Sequence, residues 1–422
     1  MFFNDIDKLI EQGRLTTAAK FLHQMEQIHP DDTKVSFTLA DLYDRQDNWY
    51  ESERYYRKTI RLDPTFVQAY TQLEQVLREQ ARYPECREIL DRVLAMVPSI
   101  EGPVKTSKAM LDMSEKGNLA KGLKAYENRF SFTHMKKAYE KEFFPRWTGR
   151  ESLVGKSVLL RFEQGLGDTI QFSRYATVLR DLGASRVDIL CKKPLHRILS
   201  SIDKVGQILD DPSDRVYDFE AMMMSIPALT NKTQAHQIPK YPYLFVSRKD
   251  SIDMHRSMEK TGKYNVGLVW AGDHKSGWQA ERMNDRRSCP LEYFRPILDV
   301  DCDFYSLQKG EPENQLKDFH AAHRIKNVMG NVNDFYDTAC IIDNLDLVIA
   351  VDTSTAHLAA AMGKKTWLMS RLDGDWRWLH GRKDSPWYPS MEIFRQKHHA
   401  EWRPLINEIA EKLRVLVTKG AK

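Results

Sequence analysis

Two short segments hold residue types that suit group transfer. In EQGLGDTIQFSRY (163–175), Gly165 and Gly167 stand at the exit of a short apolar run, and Asp168 opens an amphipathic stretch. Glycines let backbone approach a ligand closely, and a helix N-terminus favours an anion. Asp168 fits two roles there. It can cap the helix, as Asp does well, or it can stand as a carboxylate on a cleft floor and take a proton. The glycine pattern lacks the third Gly of a dinucleotide fingerprint, which argues against ordinary dinucleotide binding. In AVDTSTAHLAAAMG (350–363), Asp352, Thr353, Ser354 and Thr355 follow an apolar run and precede a helix of small residues. Backbone N–H groups, hydroxyls and a helix dipole converge at such a turn, a combination that suits a diphosphate. His357, one turn in, either meets that ligand or sits in the core.

Two further segments could serve the same ligand. WAGDHKSGWQAERMNDRRS (270–288) reads as a long polar loop, in which His274, Lys275, Arg286 and Arg287 could neutralise phosphate charge. In GDWRWLHGRKDSPWYPS (374–390), flat rings could stack on a base or a sugar, or pack between elements. Trp270, Trp376 and Trp387 are the candidates for stacking. Two metal-like patterns are set aside. DVDCD (299–303) contains a DxD but is explained as a solvated lead-in to the next strand, and the adjacent His398 and His399 point differently. No metal site is expected.

The elements that must position these residues alternate strand and helix from Lys156 onward. Strands are expected at 158–163, 187–191, Val266–Trp270, Phe304–Leu307, Leu347–Val351 and Thr366–Met369. Helices are expected at Thr169–Leu182, Asp250–Lys260, Leu291–Leu298, Asp334–Leu345, Thr353–Met362 and Trp402–Val417. That spacing implies parallel sheets covered by helices. Two such lobes would bind ligands at the carboxyl ends of their strands, facing a cleft.

The first third is a helical repeat. Pro30, Pro64 and Pro98 recur every 34 residues, closing the phrases MEQIHP, TIRLDP and LAMVP. A 34-residue period ending in Pro is the tetratricopeptide (TPR) signature. Three helix pairs are expected, with a fourth at Val104–Glu115 and Leu119–Phe130. Small residues Ala18, Ser52, Cys86 and Ala120 would mark the crossings, while Ala40 and Glu74 replace the usual Gly of the first helix. Stacked pairs create a concave groove, read here as a polypeptide-binding surface. Residues 131–155 read as a connector.

Composition narrows the class. The 422 residues are 42% hydrophobic and 29% charged, which excludes a disordered chain. A formal charge of +4 gives no electrostatic case for nucleic acid. No run of 18 apolar residues exists, so no membrane span is expected, and the acidic start lacks the features of a secretory signal. Five scattered cysteines without a CxxC pair fit a reducing cytoplasm.

The motifs EQGLGDTIQF, GLVWAG, RRS, SLQKG, LDLVIAVDTSTAHLAAAMGK, DWRW and SPWYP, spread over most of 156–402, together resemble glycosyltransferase family nine. Its members include the ADP-heptose:lipopolysaccharide heptosyltransferases, of GT-B fold. The combination with TPR repeats looks like bacterial TPR-containing glycosyltransferases. The resemblance implies an α plus α/β chain: TPR repeats over 1–130, the 131–155 connector, an acceptor-side lobe over 156–261, a nucleotide-sugar lobe over 262–402 and a terminal helix over 403–422. It implies that Gly167-Asp168 supplies the base and that Asp352, Thr353 and His357 bind the donor. Ser354 stands where that family has Gly. Gln164, Gly167, Lys275, Arg286, Arg287, Gln308, Ser354 and Thr355 complete the expected donor site, with no cofactor beyond the nucleotide-diphosphate sugar. The expected activity is metal-independent, inverting transfer to a hydroxyl, with Ser or Thr of a protein as acceptor. The alternatives are a TPR scaffold with inactive lobes and a lipopolysaccharide transferase. A homo-oligomer is left open.

Overall fold

A computed structural model describes residues 3–132, 142–233, 235–237, 241–272 and 278–420. The chain divides into two compact units, Met1–Leu111 with Asn128–Phe132, and Asp112–Glu127 with Thr133–Lys422.

The first unit is built from helix pairs. They are α1 (Phe3–Glu11) with α2 (Leu15–Ile28), α3 (Thr33–Arg45) with α4 (Trp49–Leu62), and α5 (Val67–Glu79) with α6 (Tyr83–Met96). Local chemistry sets their starts. Asp32 accepts from the N–H groups of Lys34 and Val35 at 2.8 and 3.0 Å, and Asn48 accepts from that of Glu51 at 3.3 Å. Ala18, Ser52 and Cys86 are fully buried where the helices pack. The fourth position departs from this register: Ala120 is exposed. Helices α7 (Glu101–Lys116) and α8 (Leu119–Tyr126) do form, but α8 belongs to the second unit, so the 34-residue register ends with the third pair.

Glu74 sits 34 residues after Ala40, and both positions are buried. Burial raises its carboxyl pKa, with Glu79 adding to the effect and Arg78, 3.5 Å away, opposing it. The fold therefore favours the protonated form. That contribution is present below the ordinary carboxylate pKa and is lost as pH rises through the raised value. Replacing Glu74 with Gln should stabilise the first unit at pH 7 by about 1 kcal/mol, or a melting temperature rise of about 4 °C. The gain should shrink as the pH is lowered towards 4. Thermal unfolding of the full chain at both pH values checks this; an unchanged or lowered melting point at pH 7 would contradict it.

The second unit holds two parallel sheets. The first contains β1 (Ser157–Arg161), β2 (Arg186–Leu190), β3 (Ile208–Leu209) and β4 (Phe219–Met222), in the order β3-β2-β1-β4. The second contains β5 (Asn265–Val269), β6 (Asp303–Ser306), β7 (Ile325–Asn327), β8 (Leu347–Val351), β9 (Thr366–Ser370) and β10 (Met391–Arg395), in the order β10-β9-β8-β5-β6-β7. Central strands such as β8 are buried along their whole length, as a sheet covered on both faces requires. In both sheets the order reverses beside the first strand. Ligands of open α/β sheets bind at that point, outside the carboxyl ends of the strands.

Several boundaries differ from expectation. The 169–182 stretch is two helices, α9 (Leu166–Ser173) and α10 (Tyr175–Asp181), joined at Arg174. The 270–288 segment is not all loop: it contains α11 (Trp278–Arg287), while residues 273–277, with His274 and Lys275, lie outside the described residues. Of the 131–155 connector, the described part joins the first sheet, where the Trp147 N–H donates to the Glu220 carbonyl at 2.8 Å. The helix of small residues is α12 (Ser354–Ala361). The terminal helix α13 (Trp402–Gly420) packs Leu405, Ile406, Ile409 and Leu413 into the core under the second sheet.

Candidate functional site

The two glycine- and hydroxyl-bearing turns meet in space. α9 begins one turn after β1, and α12 begins directly after β8, so their N-terminal halves lie side by side at the switch points. Gly167 makes that approach possible: a Cβ there would lie 2.8 Å from His357 Cδ2 and 3.5 Å from the Ser354 Cα. Any larger residue would clash with the buried His357 ring, which would have to move.

Asp168 closes the start of its helix and also holds an ion contact. Its Oδ2 accepts the Gly165 N–H at 2.8 Å, closing the first turn of α9. Its Oδ1 lies 2.5 Å from Arg377 Nη2, in ion contact, and the side chain keeps 20% exposure. Arg377 is itself buried, and its Nη1 donates to Asp375 Oδ1 at 2.7 Å. Burial alone would lower the Arg377 pKa, but Asp168 and Asp375 overcome this and hold it above its ordinary value. One fixed cation thus orients two carboxylates.

Across the contact, Asp352 Oδ2 accepts from Trp378 Nε1 at 2.9 Å. His357 is buried, with Nδ1 2.9 Å from the Tyr388 hydroxyl and Nε2 4.0 Å from Asp352 Oδ1. Burial depresses the His357 pKa, with Asp352 and Asp168 opposing weakly, so the ring is neutral at pH 7. Thr353 precedes α12 and bonds back to the Val351 carbonyl at 3.1 Å. Thr353, Ser354 and Thr355 line a cavity of about 420 Å³, bounded by Leu166 on the first lobe and by Ala271 and Gln308 on the second. A smaller cavity of about 170 Å³ adjoins Arg287, Asp352 and Asp375.

The other expected donor residues divide. Gln164 donates to the Tyr126 hydroxyl at 2.9 Å. Arg286 and Arg287 lie on the last turn of α11, and Arg287 bonds Asn284 Oδ1 at 3.1 and 3.2 Å. Gln308 lines the cavity, but its amide is committed to backbone. It accepts from the N–H groups of Trp270 and Ala271 and donates to the carbonyls of Ala271 and Lys309. It therefore shapes the turn after β5 and has little left for a ligand. Lys275 lies outside the described residues.

The stacking expectation requires correction. Trp270 is fully buried in the second-lobe core, with Nε1 on the Pro312 carbonyl. Trp387 is fully buried, edge-on to Phe172 and Trp376, and donates to the Arg377 carbonyl at 3.0 Å. Trp376 is covered by the Arg377 guanidinium, 4.3 Å from its ring centroid. With all three rings buried, none offers a stacking platform. That reading missed Arg377, Trp378 and Tyr388. The signal was present in DWRW and SPWYP, where an Arg between two tryptophans needs a buried counter-charge.

No protein-family model matches the chain. Protein FlbA of Caulobacter vibrioides is 25% identical over 324 residues, which is 71% of this chain and 53% of FlbA. The chain thus spans about half the length of that curated relative. Among solved structures, the glycosyl transferase family 9 protein from Veillonella parvula has a TM-score of 0.47 at 8% identity, covering 64% of this chain and 98% of that one. The E. coli ADP-heptose lps heptosyltransferase II has a TM-score of 0.45 at 10% identity, covering 63% and 100%. For the helical part, MamA gives a TM-score of 0.29 at 18% identity, covering 32% of this chain and 77% of MamA. No helix among the described residues is long and apolar enough to cross a membrane.

Proposed function

We propose that the protein is an inverting glycosyltransferase that needs no metal and moves a sugar from a nucleotide-diphosphate sugar to a hydroxyl of a protein Ser or Thr. The observation that carries this reading is the packing of the Gly167-Asp168 turn against Ser354 and His357, on the same helix start whose Thr353, Ser354 and Thr355 line the cavity of about 420 Å³. In the mechanism, the acceptor O–H gives its proton to the Asp168 carboxylate. The oxygen attacks the anomeric carbon from the face opposite the diphosphate, and the bond to the diphosphate breaks with its electron pair. The N-terminus of α12, with the Thr353, Ser354 and Thr355 hydroxyls, stabilises the leaving charge, with Arg286, Arg287 and Lys275 supplying cations. The stacked helix pairs recognise the acceptor polypeptide. All five cysteines are unpaired and buried, which supports a reducing, cytoplasmic setting.

A second reading has one observation in its favour. The Asp168 carboxylate already holds Arg377 and the Gly165 N–H, as a purely structural residue would in a scaffold with inactive lobes.

Intact-mass analysis decides between them. Candidate acceptor proteins, incubated with the full chain and a panel of nucleotide sugars in excess EDTA, should gain a discrete glycan mass. Loss of that gain in EDTA, restored by Mg²⁺ or Mn²⁺, would reject metal independence. No gain with any donor, with or without divalent ions, would favour the scaffold.

A further inference from the structure

The second helix of the fourth pair, α8, belongs to the second unit. Its buried residues Leu119, Gly122, Leu123 and Tyr126 recur at helical spacing and form one stripe. The helix lies against the short helix Ile226–Thr230, which follows β4 in the first lobe. The chain just before α8 reaches the second lobe. The His380 N–H donates to the Ser114 carbonyl at 2.5 Å, and Leu379 Cδ1 would stand 3.5 Å from a Cβ at Gly117. One short segment, Ser114–Tyr126, therefore touches both lobes of the second unit.

Tyr126 ends that segment at the candidate site. It is buried, its hydroxyl accepts from Gln164 Nε2 at 2.9 Å, and its ring centroid is 5.8 Å from that of Trp376, tilted by 48°. Gln164 immediately precedes Gly165, whose N–H holds the Asp168 carboxylate. Trp376 stands between Asp375 and Arg377 and lies under the Arg377 guanidinium. Burial lowers the Arg377 pKa, while Asp168, Asp375 and, behind them, Tyr126 raise it, so Tyr126 is within electrostatic reach of that cation. A ring locked by packing, with its hydroxyl in a hydrogen bond, is the kind of support that keeps a reacting side chain in its productive place.

We infer that Tyr126 is a positioning residue for the Asp168–Arg377 pair. Its hydroxyl fixes the turn that leads into Asp168, and its ring fixes the turn that carries Arg377. Gln164 acts through this bond, not on the donor. The effect on turnover rests on the proposed function, in which Asp168 is the base. The hold on the two turns does not.

Tyr126→Phe keeps the ring against Trp376 and removes only the hydroxyl, so the full chain should fold as the parent does. In the transfer assay, turnover should fall about three- to tenfold while KM for the nucleotide sugar stays within about twofold. Gln164→Leu should do the same, and the double variant should be no slower than either, because all three lose one and the same bond. A donor-binding Gln164 would instead raise that KM. Hydrogen exchange followed by mass spectrometry needs no transfer. Peptides covering 163–170 should exchange about threefold faster or more in Tyr126→Phe, and those of β8 and α13 at the parent's rate. Tyr126→Leu, which also removes the ring, should extend the acceleration to 374–380. If the parent transfers no sugar, the proposed function falls and the exchange result alone decides whether Tyr126 holds the pair. Unchanged exchange over 163–170, or acceleration spread evenly over the chain, would overturn the inference. So would turnover within about 1.5-fold of an active parent, or a change confined to KM.

Discussion

Replacing Asp168 with Asn should lower turnover by about 10²–10⁴-fold, the usual worth of a general base. Asn keeps the shape of Asp and remains a good hydrogen-bond acceptor, so the bond from the Gly165 N–H survives. If Asp168 only closes the first turn of α9, little changes. The affinity for the nucleotide sugar should barely move, because the lost interaction belongs to the transition state. One effect needs separating from chemistry. The variant also removes a charge 2.5 Å from Arg377, so part of any loss could come from a displaced loop. Measuring donor affinity and melting temperature beside turnover distinguishes the two. The lost Arg377 contact lowers the melting temperature in either case; a displaced loop would lower donor affinity together with turnover, whereas loss of the base lowers turnover and leaves donor affinity. Transfer within about threefold of the parent would remove Asp168 from the mechanism.

How much of this site could be read from the residues depends on what each signal encodes. The turns at Gly167-Asp168 and Asp352–Thr355 were legible because glycine, short polar residues and an apolar strand give a local pattern. The buried runs behind them, such as Leu347–Val351, follow from the same alternation of strand and helix. Strands β3, β4, β7 and β10 were not assigned. β3 has two residues and β7 three, while β4 sets Glu220 and β10 sets Glu392 and Arg395 among apolar positions, so none gives a clean apolar run. The repeat was legible through its prolines, yet Ala120, one period beyond Cys86, is exposed because the fourth pair has left the register. The aromatic tail was misread for a different reason. Ring content is visible in sequence, but which face of Trp270 or Trp387 is covered depends on contacts far along the chain, such as Phe172 against Trp387. Arg377 was missed because its partner Asp168 lies more than two hundred residues away.

That partnership yields the second large effect. Arg377→Gln should reduce both stability and turnover. In the parent, burial alone would raise the Asp375 pKa, but Arg377 above all, with Arg371 behind it, holds it below the ordinary value. That contribution is present above the ordinary carboxylate pKa and is lost as pH falls through the depressed one. The variant should therefore be less stable than the parent at pH 7, with the gap closing as the medium becomes strongly acidic. Breaking a fully buried pair costs about 3–5 kcal/mol. Here Asp168 and Asp375 keep 20% and 37% exposure, so water takes up part of the loss and about 1–3 kcal/mol is expected. Turnover should fall about 10–100-fold, because Asp168 loses the cation that aims it. Arg377 acts through Asp168, so the effects should not add. The double variant Asp168→Asn/Arg377→Gln should turn over as slowly as Asp168→Asn alone, within about threefold. Full multiplication of the two losses would instead place Arg377 on the donor or the leaving group, with a role of its own in the transition state.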